Sequence, residues 1–278
     1  MTTKNYRRIE TGTDTVLASI EARVGVVTLN RPQRRNALHA DMFDAIPRVL
    51  EHFAEDEEVG CVLMTGSGSA FCAGGDVRDG ESGGAAAPST EAGISARTAQ
   101  LKRSARTVEL LYQLPKPTLS ALPGPAVGAG MSIALATDLR IAARSARLIP
   151  GWGQLGFSGD FGGTWFLTRL VGSSRAMEIL VDGSPVDSER ACALGLFNKV
   201  VDDAELPLAA RTWAVQIASG PTTAWAAVKA NILDAQSLPL TTALDRESER
   251  MVRSGLSEDH REAVRAWLKA AKAKQSQT

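Results

Sequence analysis

Hydrophobic positions along the chain occur in short β-branched runs and in longer stretches with helical spacing. The short runs predict strands over residues 24–29, 61–65, 118–122, 139–143 and 199–201. The longer stretches predict helices over 39–55, about 95–114 and 131–137, and an almost wholly helical chain over 163–274. Strands that alternate with helices before a helical tail predict an α/β core with a C-terminal helical section.

Two segments interrupt this pattern. Pro47 lies inside the helix predicted over 39–55, where its missing N–H predicts a kink or a break. Residues 80–93 are rich in Gly, Ala, Ser and Pro and poor in large apolar side chains, which predicts a surface loop rather than a domain boundary. In the helical section, Trp225, Ile232 and Leu233 are predicted to be buried in a subunit or core interface.

The composition favours one principal domain in a soluble, cytoplasmic protein. Hydrophobic residues make up 44% of the 278 positions, which is enough for one large core. Lys and Arg number 31, as do Asp and Glu, so no overall basic field exists to attract nucleic acid. The polar N-terminus and the short apolar runs predict neither a signal peptide nor a membrane span. Three scattered cysteines argue against a disulfide framework and against a structural zinc site, and we expect no bound metal.

Two glycine-rich loops, residues 70–76 and 124–131, are predicted to lie between a strand and the start of a helix. Small residues let backbone N–H groups approach a ligand closely, and a helix N-terminus adds partial positive charge. Two N–H groups that converge on one point would form an oxyanion hole, in which each donor contributes roughly 2.7–4 kcal/mol. Neither loop matches the phosphate-binding P-loop or the dinucleotide-binding glycine pattern.

Over nearly its whole length, the chain resembles the enoyl-CoA hydratase/isomerase (crotonase) family. The matching motifs are Leu-Asn-Arg-Pro at 29–32, Asn-Ala-Leu at 36–38, Phe-Cys-Ala-Gly-Gly-Asp at 71–76, Lys-Pro at 116–117, Gly124 with Gly-Ala-Gly at 128–130, Thr-Asp-Leu-Arg at 137–140, Gly-Gly-Thr at 162–164 and Leu-Val-Gly at 170–172. The resemblance implies a crotonase-like spiral of ββα units over 1–205 and a helical trimerisation section over 206–278. It also implies a homo-trimer or hexamer and a role in fatty acid and lipid metabolism.

The resemblance further implies a thioester carbonyl held by the N–H groups of Gly75 and Ala129. The family usually has glycine at the second position, and alanine is tolerable there if its φ is negative. No separate cofactor is expected, because coenzyme A is part of the substrate. The residues implied to line its groove are Arg35 and Ala37 in the first segment, and Ala73, Asp76, Val77 and Arg78 in the second. Arg34 and Arg35 could also meet the CoA phosphates.

The catalytic positions depart from those of the hydratases in the family. Those enzymes add water with two glutamates, and this chain has Ser132 at the first of these positions and Trp152 at the second. We expect both to contact substrate, but neither can act as a carboxylate acid or base. Ordinary two-carboxylate hydration is therefore not expected.

A different carboxylate, Asp160, matches an aspartate in the isomerases of the phenylacetate pathway and their relatives. Residues 156–164 resemble the stretch in which that aspartate moves a proton between two carbons. A base active near neutral pH needs burial to raise its pKa, and Phe157, Phe161, Trp165 and Trp152 are predicted to supply apolar surroundings. The alternative is that Asp160 only caps the helix that begins near 162.

Double-bond isomerisation of an unsaturated acyl-CoA by Asp160 is therefore the leading hypothesis. Hydration by Asp160 alone and non-catalytic acyl-CoA binding are alternatives. So is nucleophilic chemistry, because the Trp152–Asp160 spacing also resembles that of 4-chlorobenzoyl-CoA dehalogenases. Those enzymes also use a histidine near the second glycine-rich loop, whereas His39, His52 and His260 fall in predicted helices elsewhere. Cys72 is interpreted as a packing residue.

Overall fold

The computed structural model describes residues 6–76 and 90–275, with residues 270–275 described as backbone only. Its strands are β1 (Arg7–Ile9), β2 (Val16–Glu21), β3 (Val24–Leu29), β4 (Cys61–Gly66), β5 (Thr118–Leu122), β6 (Ala126–Val127), β7 (Leu139–Ala143), β8 (Arg147–Ile149), β9 (Val186–Asp187) and β10 (Lys199–Val201). Its helices are α1 (Met42–Glu55), α2 (Glu91–Ser104), α3 (Arg106–Gln113), α4 (Ala129–Ala136), α5 (Gly163–Asp182), α6 (Ser188–Ala193), α7 (Leu206–Ala218), α8 (Thr222–Ala235), α9 (Leu240–Gly255) and α10 (Glu258–Gln275).

The larger sheet has the strand order β1-β2-β3-β4-β5-β7-β10 within the described chain. The first three strands are antiparallel neighbours, and the pairs from β3 to β10 are parallel. A smaller sheet has the order β6-β8-β9. The carboxyl ends of β4 and β5 lie side by side, with Thr65 paired to Ala121. The two glycine-rich loops that follow these strands therefore leave the sheet at the same edge.

Alternating side chains of the larger sheet enter two separate cores. Val62 and Met64 on β4 belong to the core that contains α1, whereas Cys61 and Leu63 belong to the core that contains α7. Helix α7 contacts β3, β4, β5 and β7. Both faces of the parallel part of the sheet are therefore covered by helices, as parallel sheets require.

A buried lysine on α8 contacts this core. Lys229 on α8 donates to a carboxylate oxygen of Asp138 at 2.9 Å and to the backbone oxygen of Leu111 at 3.0 Å. Trp225 and Ile232 are 37% and 55% exposed, so this chain does not bury them in its own core. Their burial between subunits stays a prediction. Within the part of the chain that the structure describes, no helix is long and apolar enough to cross a membrane.

The predicted strands over 24–29, 118–122, 139–143 and 199–201 have the observed bounds, and the one over 61–65 ends one residue later. Strands β1, β2, β6, β8 and β9 were missed; four of them have no more than three residues, too few for a periodic signal.

Three predictions about helices and one about a loop were wrong in detail. Helix α1 continues through Pro47, which is buried, so the predicted break does not occur. It begins at Met42, so His39 precedes the helix. The predicted loop 80–93 ends too late, because α2 begins at Glu91, and residues 77–89 lie outside the described chain. The single helix over 95–114 is two helices that meet at Ala105.

Candidate active site

The first glycine-rich loop is held between the segment 36–38 and the start of α4. The Leu38 N–H donates to the backbone oxygen of Gly74 at 2.7 Å, and the Asp76 N–H donates to that of Leu38 at 3.2 Å. On its other side, the Val127 N–H donates to the backbone oxygen of Cys72 at 2.9 Å. This arrangement places Gly75 and Ala129 on the lining of one cavity of about 210 Å³.

Both predicted oxyanion donors retain an unused N–H. Ala129 is the first residue of α4, and the first backbone bond of that helix runs from the Ser132 N–H to the Gly128 oxygen. Neither the Gly75 nor the Ala129 N–H donates to any residue that the structure describes. The positive φ of this turn, 53°, falls on Gly128, whereas Ala129 has a negative φ. An alanine is therefore compatible with this position.

Asp160 lines the same cavity as the two N–H groups. Trp152 Nε1 donates to its Oδ1 at 3.0 Å, and the Ser132 hydroxyl donates to its backbone oxygen at 3.2 Å. Its Oδ2 accepts no hydrogen bond from a described residue. Burial raises the pKa of the carboxyl group, and the Trp152 hydrogen bond and the charge of Arg97 oppose that effect. The site therefore combines two N–H donors with one half-buried carboxylate that has an oxygen available.

The interpretation of Asp160 as a helix cap was wrong. Helix α5 begins at Gly163, its N-cap is Gly162, and no side chain caps it. At the start of α5, Asp160 contributes only its backbone oxygen, which accepts a hydrogen bond from the Gly163 N–H at 3.0 Å. The carboxylate is left for another role.

Two of the four apolar neighbours predicted for Asp160 surround it as expected. Phe161 is buried and lines the cavity, and Trp152 is 8% exposed and contacts the carboxylate directly. Phe157, in contrast, is 54% exposed. Trp165 is stacked edge-on against Tyr112 and Phe166 and lines a different cavity. Phe157 and Trp165 are close to Asp160 in sequence, but their rings do not form the predicted apolar surroundings of its carboxylate.

The two segments predicted to line the CoA groove lie side by side. Arg35 is exposed in a left-handed conformation with φ 50°, and its backbone oxygen accepts from the Ala73 N–H at 2.9 Å. Ala37 is buried in the same segment. Neither Arg34 nor Arg35 forms an ion pair with a described residue. The predicted groove residues Val77 and Arg78 lie outside the described chain.

Asp76 has a structural partner. Its carboxylate is 4% exposed and accepts from Arg31 at 3.0 Å, and the same arginine also donates to the Ala37 oxygen at 2.7 Å. This ion pair fixes the end of the first loop against the segment 36–38. Ser132 and Trp152 were also predicted to contact substrate, but the structure places them behind Asp160, outside the lining of the cavity.

Sequence reasoning gave Asn36 no role of its own. Asn36 is fully buried, and its side-chain amide donates to the backbone oxygens of Ser67 and Ala70 at 2.9 and 2.8 Å. Its side-chain oxygen accepts from the Arg31 N–H. Asn36 also has a positive φ, which asparagine tolerates better than most residues, but no sequence pattern indicated this conformation.

Residues from α1 and α2 also line the cavity and were missed: Phe43 and Asp44, and Arg97, Gln100, Leu101, Arg103 and Ser104. Helix α2 buries only Ser104, so its sequence carries no clear apolar stripe that would reveal which face points inward.

Cys72 is fully buried, and burial raises the pKa of its thiol to about 12. A thiol with such a pKa is not a nucleophile near neutral pH, which agrees with a packing role. Among the described residues, no group of three or more His, Cys, Asp or Glu side chains is placed to hold a metal ion.

Comparison with known proteins agrees with this geometry. The profile of the enoyl-CoA hydratase/isomerase family matches residues 19–277. The chain belongs to this family. The 1,2-epoxyphenylacetyl-CoA isomerase of Escherichia coli K12 is 36% identical over 253 residues, which cover 91% of this chain and 95% of the relative.

Solved structures show the same fold. An enoyl-CoA hydratase from Polaromonas sp. JS666 has a TM-score of 0.84 at 29% identity and covers 92% of this chain and 97% of its own. A Thermobifida fusca YX protein in complex with CoA has a TM-score of 0.77 at 28% identity and covers 86% and 92%. The predicted crotonase-like α/β fold with a C-terminal helical section is therefore confirmed. Because these relatives carry the names of different reactions, family membership alone does not choose the reaction.

Proposed function

We propose that the protein moves the double bond of an unsaturated acyl-CoA thioester, with Asp160 as the group that carries the proton. The observation that supports this most is the position of Asp160. Its half-buried carboxylate, with the pKa raised by burial, lines the same small cavity as the N–H groups of Gly75 and Ala129. The two positions at which the hydratases of the family have glutamates hold Ser132 and Trp152.

In the proposed complex, the thioester carbonyl oxygen accepts hydrogen bonds from Gly75 and Ala129. Both donors are backbone groups held by the loop hydrogen bonds and by α4, so they need no reorganisation when negative charge develops on the oxygen. CoA would lie along the side-by-side segments 34–38 and 73–76. Arg34 and Arg35 are exposed there and would pair with its phosphates.

The reaction is a transfer of one proton between two carbons. Asp160 removes a proton from the carbon next to the double bond, and the electron pair of that C–H bond moves through the conjugated system onto the thioester oxygen. The resulting enolate is stabilised by the two N–H groups. Asp160 then returns the proton to the other end of the system, and the carbonyl re-forms with the double bond shifted. No atom is gained or lost.

One observation favours a second candidate, nucleophilic attack by Asp160 on an aromatic acyl-CoA. The hydrogen bond from Trp152 to Asp160 is the contact that the resemblance to 4-chlorobenzoyl-CoA dehalogenases predicts. The histidine that those enzymes use has no counterpart in the sequence of the second loop, residues 124–131. His39 contacts Asp41 and His52 contacts Asp56. We therefore place this candidate second.

One experiment separates these reactions. The protein is incubated in deuterated water with 2- and 3-enoyl-CoAs, 1,2-epoxyphenylacetyl-CoA and 4-chlorobenzoyl-CoA, and the products are analysed by mass spectrometry. A shifted double bond with deuterium uptake is the expected result. Water addition would favour hydration, halide release would favour nucleophilic chemistry, and CoA binding without any turnover would favour a binding protein.

The rate should depend on pH through Asp160. A base must be unprotonated to accept a proton, and burial raises the pKa of this carboxyl group. We therefore expect kcat/KM to fall on acidification at a higher pH than an exposed aspartate would give. Trp152→Phe removes a hydrogen bond that stabilises the charged form, so it should move this decline to still higher pH. A pH–rate profile checks both points, and an unchanged profile in the variant would contradict the assignment.

We also propose that copies of the chain assemble through the C-terminal helices. Large apolar side chains are exposed on α5, α8, α9 and α10 and at the residue after α9: Met177, Val181, Val228, Ile232, Leu244, Met251, Val252, Trp267 and Leu256. Soluble monomers seldom leave so much apolar surface uncovered. Light scattering at micromolar concentration should give the mass of a trimer or hexamer, and a monodisperse monomer would contradict the proposal.

A further inference from the structure

A second cavity, of about 850 Å³, adjoins the cavity that Asp160 lines. Phe43, Asp44 and Arg103 line both of them. The other residues that line the second cavity come from α1, α2 and α3: Pro47, Arg48, Ala99, Lys102, Arg106 and Glu109. This second cavity is called here the basic groove. Because the two cavities share lining residues, the groove lies directly beside the space in which the acyl group would react.

The wall that α2 contributes to the active-site cavity is mainly polar. Four lining residues recur at spacings of three and four positions and therefore share one face of this helix: Arg97, Gln100, Leu101 and Ser104. Only Leu101 among them is apolar, whereas the inward face of a helix is ordinarily an apolar stripe. A plain hydrocarbon chain packed against this face would desolvate polar groups without offering them a hydrogen bond. The wall therefore suits an acyl group that carries polar atoms beyond its reacting carbons.

Positive charge exceeds negative charge in the basic groove. Among the described residues its lining has four cations and two carboxylates: Arg48, Lys102, Arg103 and Arg106, and Asp44 and Glu109. Arg106 forms ion pairs with Glu109 and Glu51. Lys102 and Arg103, in contrast, are exposed and form no ion pair with any residue that the structure describes. Because acidic and basic residues are equal in number over the whole chain, this excess is a local field that favours an anion.

We infer that Lys102 and Arg103 bind a carboxylate at the far end of the acyl group, so that the preferred substrates are CoA thioesters of unsaturated dicarboxylic acids. This inference rests on the proposed function and adds its substrate class. The thioester end would be held by the two backbone N–H groups, and the opposite end would reach the basic groove. There the planar fork of Arg103 matches the two oxygens of a carboxylate, and Lys102 adds a point charge. The two cations outnumber Asp44, which opposes an anion at this place.

Binding of saturated acyl-CoA thioesters tests this inference without depending on the reaction. Two series of equal chain lengths are compared by titration calorimetry, one ending in a methyl group and one in a carboxylate, with CoA itself as the reference. At the best length, the carboxylate should bind on the order of five- to tenfold more tightly, as expected for an exposed anion that pairs with two cations. This advantage should shrink at high salt, because exposed charges are screened.

Substitutions on α2 assign the advantage to its two cations. Arg103→Gln should lower it, adding Lys102→Gln should abolish it, and Arg103→Lys, which keeps the charge, should retain part of it. Glutamine forms helices well and both positions are exposed, so the variants should fold, as circular dichroism would verify. Arg8→Gln is the matched control, because it removes one exposed arginine from β1, outside the lining of both cavities. It should keep the whole advantage.

Three outcomes would overturn the inference. One is a wild type that binds the two series equally at every length. Another is an advantage that survives in the folded double variant, or in both single glutamine variants if the double variant does not fold. The third is an equal weakening of CoA itself by these variants, which would assign the groove to the CoA phosphates. The proposed function fails on a different result, namely a wild type that shifts no double bond in 3-enoyl-CoAs of either series.

Discussion

Replacing Asp160 with Asn is expected to lower kcat by about 10²–10⁴, the usual contribution of a general acid–base group. Asparagine keeps the size of the side chain and an oxygen that can accept the Trp152 N–H at 3.0 Å, but it cannot accept the substrate proton. The affinity for CoA should change little, because the proposed groove is formed by the segments 34–38 and 73–76. Steady-state kinetics on the best substrate and CoA binding by calorimetry measure the two quantities separately.

Asp44 provides the matched control for this change. It is a second aspartate on the lining of the same cavity, but it is exposed on α1. Asp44→Asn removes the same charge from the same cavity without removing the proposed base, so near wild-type turnover is expected. Full activity in Asp160→Asn, or an equal loss in both variants, would rule out Asp160 as the specific proton carrier.

Local sequence rules predicted each glycine-rich loop between a strand and a helix, where propensity and spacing carry the information. The family resemblance, and not these rules, implied that Gly75 and Ala129 act together. The pairing of β4 with β5, which brings the two loops to one edge of the sheet, joins distant segments and was not predicted. Helix α4 begins two residues before its predicted start at 131, which makes Ala129 its first residue.

Other parts of the site depend on contacts between distant segments and were not predictable in this way. Phe157 and Trp165 flank Asp160 in sequence, yet one is exposed and the other belongs to an aromatic cluster with Tyr112. Phe161, directly after Asp160, has a positive φ of 50°, which no sequence pattern indicated. Helix α2 contributes Arg97 and Gln100 to the lining although its sequence marks no inward face. Such placements are decided by tertiary packing.

The family resemblance identified positions 132 and 152 as those at which the hydratases have glutamates. Only the structure showed how the side chains at these two positions are packed. A serine and a tryptophan at positions 132 and 152 could have left a polar, hydrated pocket beside Asp160. Instead, both side chains are packed against Gly163, and both of their polar groups contact Asp160. Ser132 and Trp152 thus form a closely packed support for Asp160.

The second large effect is expected from removing an oxyanion donor with Ala129→Pro, which should lower kcat by about 10²–10³. Ala129 is the first residue of α4, the helix position at which proline is best tolerated, because no intrahelical bond uses that N–H. The preceding Gly128 has no Cβ to clash with the proline ring. The variant should therefore fold, which circular dichroism and thermal unfolding would verify, while one of the two donors to the thioester oxygen is lost.

Ala129→Gly is the matched control, because it changes the same residue but keeps the N–H. Its turnover should stay near that of the wild type, and its stability should fall by no more than about 1 kcal/mol, the cost of glycine relative to alanine in a helix. Gly75→Pro removes the other donor and should give a loss similar to that of Ala129→Pro, whereas Cys72→Ala, at a buried position behind the same loop, should spare most activity. If folded Ala129→Pro and Gly75→Pro proteins both turned over at the wild-type rate, the thioester oxygen would not be held by these two groups.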